Sequence, residues 1–129
     1  MKREKDAETL ARLMVSIGKT ANRRVSAAIT RMDSPLGDNV GCNLEARECV
    51  EVLKGKRNDL AELSLFHCAK ILRAARGVSE EEGLRLAKEC IASGTALEQL
   101  EKIVRAQGGD GRSVRDETRL PLAKNVREI

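Results

Sequence analysis

Three short motifs that can start an α-helix, each followed by a glycine that can end one, restrict the fold of this chain more than any other feature. The motifs begin at Asp59, Ser79 and Thr95, and each has a glutamate three positions later. This spacing lets two side chains satisfy unpaired N–H groups at a helix start, and glycine readily takes the left-handed conformation that ends a helix. The pattern predicts helices over 59–76, 79–94 and 95–107.

Two more helices are predicted from apolar residues at helical spacing, over 5–21 and 44–53. Phe66 is the single aromatic residue of the chain, so Leu, Ile, Val and Ala must fill the core. That composition suits packed helices. The segment is therefore predicted to be mostly α-helical, with about five helices.

One clear β-strand is predicted near residues 24–32, where Val25 to Thr30 is rich in β-branched and small residues. A helix, a turn and a strand in this order resemble half of a βαβ unit. A lone strand needs neighbours for its backbone groups. The 129 residues fit one domain at most, and this domain is predicted to need more sheet than they supply.

The loop from Asp33 to Gly41 is rich in turn residues and lies between the predicted strand and a helix. Amides at such a helix start can bind phosphate, but the loop lacks the Gly-Lys-Ser/Thr of a phosphate-binding P-loop. Its spacing favours a structural connection. Glu48, on the following helix, could turn back and bind a hard cation together with backbone carbonyls. Spacing alone favours a solvated pair with Glu45.

The four cysteines and His67 do not have the spacing of a zinc site. The cysteines are expected to be buried as small apolar side chains. His67 is expected to be a satisfied or surface histidine, because no nucleophile has a defined geometry with it.

Charge and hydropathy exclude several classes of partner. The net charge is +4 and the pI about 9.0, but basic and acidic residues alternate along the chain, which is typical of a solvated surface rather than a nucleic-acid face. No aromatic platform for stacking bases is present. No apolar run of about 18 residues predicts a membrane span, and no secretory leader is recognised. A cytoplasmic protein with reduced thiols is expected.

Several spaced blocks resemble the pyrimidine-nucleoside and thymidine phosphorylase family. The longest is the run from Ser26 to Glu48, which contains Pro35-Leu-Gly37 and Leu44-Glu45 as in the family signature. The likeness continues through nearly the whole chain, at residues 11–19, 51–55, 59–63, 92–98 and 106–110. The resemblance implies an α/β fold, of which residues 1–129 would be a partial α/β domain.

By resemblance, such an enzyme is a pentosyltransferase that catalyses reversible phosphorolysis of pyrimidine nucleosides to free base and pentose 1-phosphate. Its substrates are phosphate and a pyrimidine nucleoside, and it is typically a homodimer. The family's Lys-x-Ser-Thr-Gly-Gly phosphate motif does not occur in this sequence, and no base-holding residue is recognised. No catalytic or substrate-binding residue is therefore assigned here. Met1 resembles an internal methionine of the family, so a fragment that is inactive alone is expected.

The resemblance also implies part of a potassium site. The family's ligand positions correspond to the main-chain carbonyls of Leu36 and Asn39 and the carboxylate of Glu48. Leu36 and Glu48 match the family, and Asn39 stands where the family often has Ala, but a carbonyl ligand needs no particular side chain. Two residues depart from the signature: Arg31 stands where the family has an acidic residue, and Cys42 where it has Asn. Two alternatives to a fragment remain, namely a half-enzyme completed by a separate chain and a helical interaction or nucleic-acid-binding module.

Overall fold

The structure, a computed structural model, describes residues 3–121. It contains five α-helices and two 3-10 turns: α1 Glu4–Thr20, α2 Cys42–Leu53, α3 Asp59–Arg76, α4 Glu80–Ala92, α5 Thr95–Ala106, and the turns Gly111–Val114 and Glu117–Arg119. Each predicted helix is present, with its ends within two residues of the predicted ones. The sequence Leu120-Pro121-Leu122 also suggests an extended segment, and the last of these residues lies outside the described residues.

The prediction of an α/β fold is wrong for the described residues, which contain helices and no strand. Residues 24–32 are extended and exposed, and none of their N–H groups donates to a backbone carbonyl in the described chain. Their β-branched residues have the local preference for a strand, but pairing requires a neighbouring strand. The segment instead lies back on α1, where a Cβ on Gly18 would be 2.2 Å from Cγ2 of Val25.

The helix starts follow the predicted chemistry at one motif out of three, and there only in the bond made by the capping serine, since the Glu82 carboxylate pairs with Arg85. Ser79 caps α4 by accepting a hydrogen bond from the amide of Glu82. At α3 the cap is Asn58, one residue before the predicted Asp59, and at α5 it is Gly94, which offers no side chain. The helices form at all three places because a cap adds to helix stability without being required for it.

Helices α2 and α5 and the first 3-10 turn share a small apolar core. Val50 of α2, Leu97 of α5 and Val114 of the first 3-10 turn are buried together, with Leu53, Leu100 and Val104 packed around them. Among the described helices, α3 and α4 make the most extensive contact. They approach so closely that a Cβ on Gly83 of α4 would lie 2.9 Å from the carbonyl oxygen of Ala69 on α3.

Helix α1 contributes nothing to that core, since none of its residues is buried. Apolar side chains along α1 and the extended segment remain exposed, among them Leu13, Met14, Ile17, Val25, Ile29 and Met32. Within the described residues, no helix is both long and apolar enough to cross a membrane.

The prediction of buried cysteines is wrong. Cys42, Cys49, Cys68 and Cys90 are free thiols on exposed positions of the helices. A small apolar side chain is buried only where another element covers its face of the helix, and the chain as described covers none of these four positions.

Candidate functional site

The carboxylate of Glu48 is the one charged group among the described side chains that is fully buried, with 1 % of the residue exposed. It lies on α2 and faces the loop before that helix. Its Oε1 accepts hydrogen bonds from the amide of Asp38 at 2.8 Å and from Nδ2 of Asn58 at 2.6 Å. Its Oε2 accepts from the amide of Asn39 at 3.1 Å and from Nδ2 of that residue at 3.2 Å. These four donors fill the four acceptor positions of a carboxylate.

Gly37 allows the loop to approach this carboxylate. Its φ of +81° is a conformation that other residues rarely adopt, and a Cβ there would lie 2.7 Å from Oε2 of Glu48. The Gly37 amide donates to Oδ1 of Asp59 at 3.0 Å. Three successive loop amides, at residues 37, 38 and 39, are thus taken by carboxylates of the chain itself. These amides are not free to bind phosphate, which agrees with the loop being a structural connection.

Hydrogen bonding keeps Glu48 ionised in spite of its burial. The pKa of Glu48 is lowered chiefly by the amide of Asp38, with smaller contributions from Asn39 and from the charge of Lys56, while burial opposes the shift. An ionised carboxylate is the better acceptor for these donors. The buried charge therefore fixes the loop to α2.

Lys56 lies beside this carboxylate, in the turn after α2. Its Nζ is 2.8 Å from Oε2 of Glu51, 3.0 Å from Oδ2 of Asp38 and 3.9 Å from Oε1 of Glu48. The neighbouring carboxylates of Glu51 and Asp38 raise the pKa of Lys56 above its usual value. The ammonium is therefore charged throughout the neutral range.

The structure brings Asn39 and Glu48 together, with Leu36 adjacent in the loop, but the carboxylate of Glu48 faces N–H donors of the chain. The predicted roles of the Leu36 and Asn39 carbonyls stay a prediction. Asn39 turns its amide groups toward Glu48, and every acceptor position on the carboxylate is filled by an N–H donor. A hard cation requires oxygen lone pairs that are free to face it. Nor do the described side chains place any three His, Cys, Asp or Glu residues together as a metal site. As arranged, the Glu48 carboxylate has no free lone pair to offer the implied ion.

The sequence did not reveal two members of this site. Asn58 could have been found as the residue before the predicted cap Asp59, because Asn is a strong helix cap. Lys56 carries no clear local signal, since its carboxylate partners all precede it in the chain and Asp38 reaches it only through the fold of the loop.

Both departures from the signature are accommodated without disturbing Glu48. The guanidinium of Arg31 pairs with Asp33 on the exposed surface. Cys42 is the first residue of α2, and its thiol is exposed.

A second concave feature lies between the extended segment and α3. This cavity of about 850 Å³ is lined by the cationic residues Lys19, Arg23, Arg24, Lys70 and Arg73 together with His67. Lys70 and Arg73 both pair with Glu80. His67 is an exposed residue whose ring contacts Phe66, as expected of a surface histidine.

The chain is similar to known proteins over its whole length. No model of a protein family matches the sequence. The pyrimidine-nucleoside phosphorylase of Geobacillus stearothermophilus is 36 % identical over 131 aligned residues, which cover 100 % of this chain and 30 % of the relative. The pyrimidine-nucleoside phosphorylase of Staphylococcus aureus strain USA300 is 39 % identical over 126 residues, covering 96 % of this chain and 29 % of the relative. The chain spans about a third of the length of these relatives. The resemblance seen in its motifs is confirmed. The chain is related throughout to one segment of the pyrimidine-nucleoside phosphorylases.

Proposed function

We propose that this chain is one segment of a pyrimidine-nucleoside phosphorylase, a pentosyltransferase that exchanges the base of a pyrimidine nucleoside for phosphate. The observation that carries this proposal is the similarity to such enzymes over 100 % of the chain. In the reaction, the glycosidic bond to the base breaks and a bond from a phosphate oxygen to the anomeric carbon forms. The products are the free base and a pentose 1-phosphate.

The segment contributes supporting structure to this enzyme rather than the groups that take part in the reaction. Phosphorolysis requires phosphate held behind the anomeric carbon and hydrogen-bond donors or positive charge on the departing base. The loop amides at residues 37–39 are occupied by Glu48 and Asp59 and hold neither substrate. The phosphate- and base-binding groups come from the remainder of the enzyme, and the 129-residue chain by itself is inactive.

The exposed apolar surface of α1 and residues 23–32 supports this view. Met14, Ile17 and Met32 are 58 %, 60 % and 94 % exposed. A surface of this kind is usually covered by another part of the protein or by a partner. We infer that the remainder of the phosphorylase covers it, and that the assembled enzyme is a homodimer like its family.

A chimera tests the proposal. The segment of the Geobacillus stearothermophilus enzyme that aligns with this chain is replaced by this chain, and release of thymine or uracil from nucleoside and phosphate is measured. The chimera is expected to be active and the isolated chain inactive. A chimera that is folded but inactive, or base release by the isolated chain, would contradict the proposal.

A separate chain could supply the remainder in place of a continuous one. Affinity purification of this chain from its native cells distinguishes the two arrangements. Recovery with a second chain that carries Lys-x-Ser-Thr-Gly-Gly identifies a half-enzyme, and recovery within one long polypeptide identifies a continuous enzyme.

The cationic cavity is the observation that favours the alternative of a nucleic-acid-binding module. Of its five cationic side chains, Lys70 and Arg73 are already paired with Glu80. No Phe, Tyr or Trp side chain lines it for stacking on bases. We expect no binding of single- or double-stranded DNA or RNA at physiological salt. Binding that weakens steeply with added salt would favour the alternative.

A further inference from the structure

We propose that Lys56 is a built-in counter-ion for the Glu48 site, so that the signature loop keeps its shape without a bound potassium ion. The ammonium group supplies from within the chain the positive charge that the family resemblance assigns to a metal. This inference concerns the chain itself and does not depend on the proposed phosphorolysis.

The position of Lys56 is fixed by the turn that ends α2. Its backbone amide donates to the carbonyl of Glu51 at 2.9 Å, and Gly55 before it has a φ of +108°. This turn directs the side chain back along α2 toward the loop. The backbone geometry of this turn, as well as charge, therefore fixes Lys56 next to its carboxylate partners.

The ammonium group of Lys56 bridges α2 and the loop before it, which are the two elements that a bound cation at this place would have to bridge. It contacts Glu51 on α2 at 2.8 Å and Asp38 in the loop at 3.0 Å. Glu48, at 3.9 Å, lies between them. A single isolated ion pair on a protein surface contributes little stability. Here one cation is shared by three carboxylates, of which one is buried and held by four other donors.

A potassium ion would be at a disadvantage here for two reasons. It would have to displace N–H donors from Glu48, so that the partly buried hydrogen bonds from the amides of Asp38 and Asn39 would be lost. It would also stand close to a positive charge. Because the lysine is part of the chain, it is present at the site whatever the concentration of dissolved salt.

Thermal unfolding of the full 129-residue chain tests the proposal. Midpoints are measured in potassium, sodium and N-methylglucamine chloride at one ionic strength of about 0.15 M. We expect the same midpoint in all three salts. A saturable rise of the midpoint that is specific to potassium would overturn the proposal.

Variants test the role of the lysine. Lys56→Met is expected to lower the midpoint by several degrees, whereas Lys56→Arg retains most of the stability because it keeps the charge. Lys102→Met is the matched control, since Lys102 is exposed on α5 and has no ion pair among the described residues. Equal midpoints for Lys56→Met and Lys102→Met would contradict the proposal.

Amide hydrogen exchange of the unmodified chain provides a second measurement that needs no variant. The amides of Asp38 and Asn39 donate to Glu48, so their exchange reports directly on the loop. We expect equal protection in potassium and sodium. Protection of these two amides that appears only in potassium would show that the ion, and not Lys56, orders the loop.

Discussion

Nδ2 of Asn58 donates a 2.6 Å hydrogen bond to Oε1 of Glu48, while Oδ1 of the same side chain accepts the amide of Ala61 at 3.0 Å. One amide side chain therefore caps α3 and holds the buried carboxylate of α2. This residue links the start of α3 to the loop before α2, so a substitution at Asn58 affects both.

Asn58→Ala is expected to destabilise the chain by more than loss of an ordinary helix cap, which costs about 1 kcal/mol. The substitution removes the cap of α3 and also leaves Glu48 with one donor fewer. Ser79→Ala is the matched control, because Ser79 caps α4 and its side chain also interacts with Glu81, an exposed carboxylate rather than a buried one. Urea unfolding of the two variants measures the difference. Equal losses would show that the bond from Asn58 to Glu48 contributes nothing to stability.

Stability is expected to fall at acid pH through Glu48. Its pKa is lowered in the folded chain from an ordinary value of 4.5. The folded state thus binds fewer protons than the unfolded state near that pH, and this contribution is complete above pH 4.5 and is lost as the pH falls through the folded pKa.

The free energy of unfolding, measured by urea titration between neutral pH and pH 3, is expected to show this dependence. Glu48→Gln removes the titrating group and should flatten the curve, whereas Glu98→Gln, at an exposed position on α5, should leave its slope unchanged. Some acid loss remains in Glu48→Gln because Arg112 lowers the pKa of Asp110 to about 2. An unchanged acid slope in Glu48→Gln would contradict the assignment.

The helices could be predicted from sequence because their signals are local: apolar spacing, caps and glycine ends lie within a few residues of each other. The strand near 24–32 could not, because the same β-branched residues form a strand only where another strand supplies partners. The sequence indicates that Glu48 could turn back toward the loop. Its actual partners could not be predicted, because Asn58 and Lys56 reach Glu48 only after the chain has folded back.

The amides of residues 24–32 are expected to exchange with solvent close to the rate of an unfolded peptide. They donate to no backbone carbonyl in the described residues and the segment is exposed. The interior amides of α3 should exchange far more slowly, since they have helical partners. Hydrogen exchange followed by NMR on the 129-residue chain measures both. Slow exchange of 24–32 would mean that this segment has hydrogen-bond partners, for instance in a second copy of the chain.

Gly83→Ala is expected to destabilise the chain by about 1–3 kcal/mol through the contact of α3 with α4. Alanine is a better helix former than glycine by about 1 kcal/mol, which alone would stabilise α4. The new methyl group, however, would lie 2.9 Å from the carbonyl oxygen of Ala69 and 3.1 Å from its Cα, and these backbone atoms cannot move without separating the helices. Lys88→Ala, on an exposed position of the same helix, should change the free energy of unfolding by less than about 0.5 kcal/mol. If Gly83→Ala instead raises the unfolding midpoint, helix propensity outweighs the contact and the two helices are not packed as closely as the structure has them.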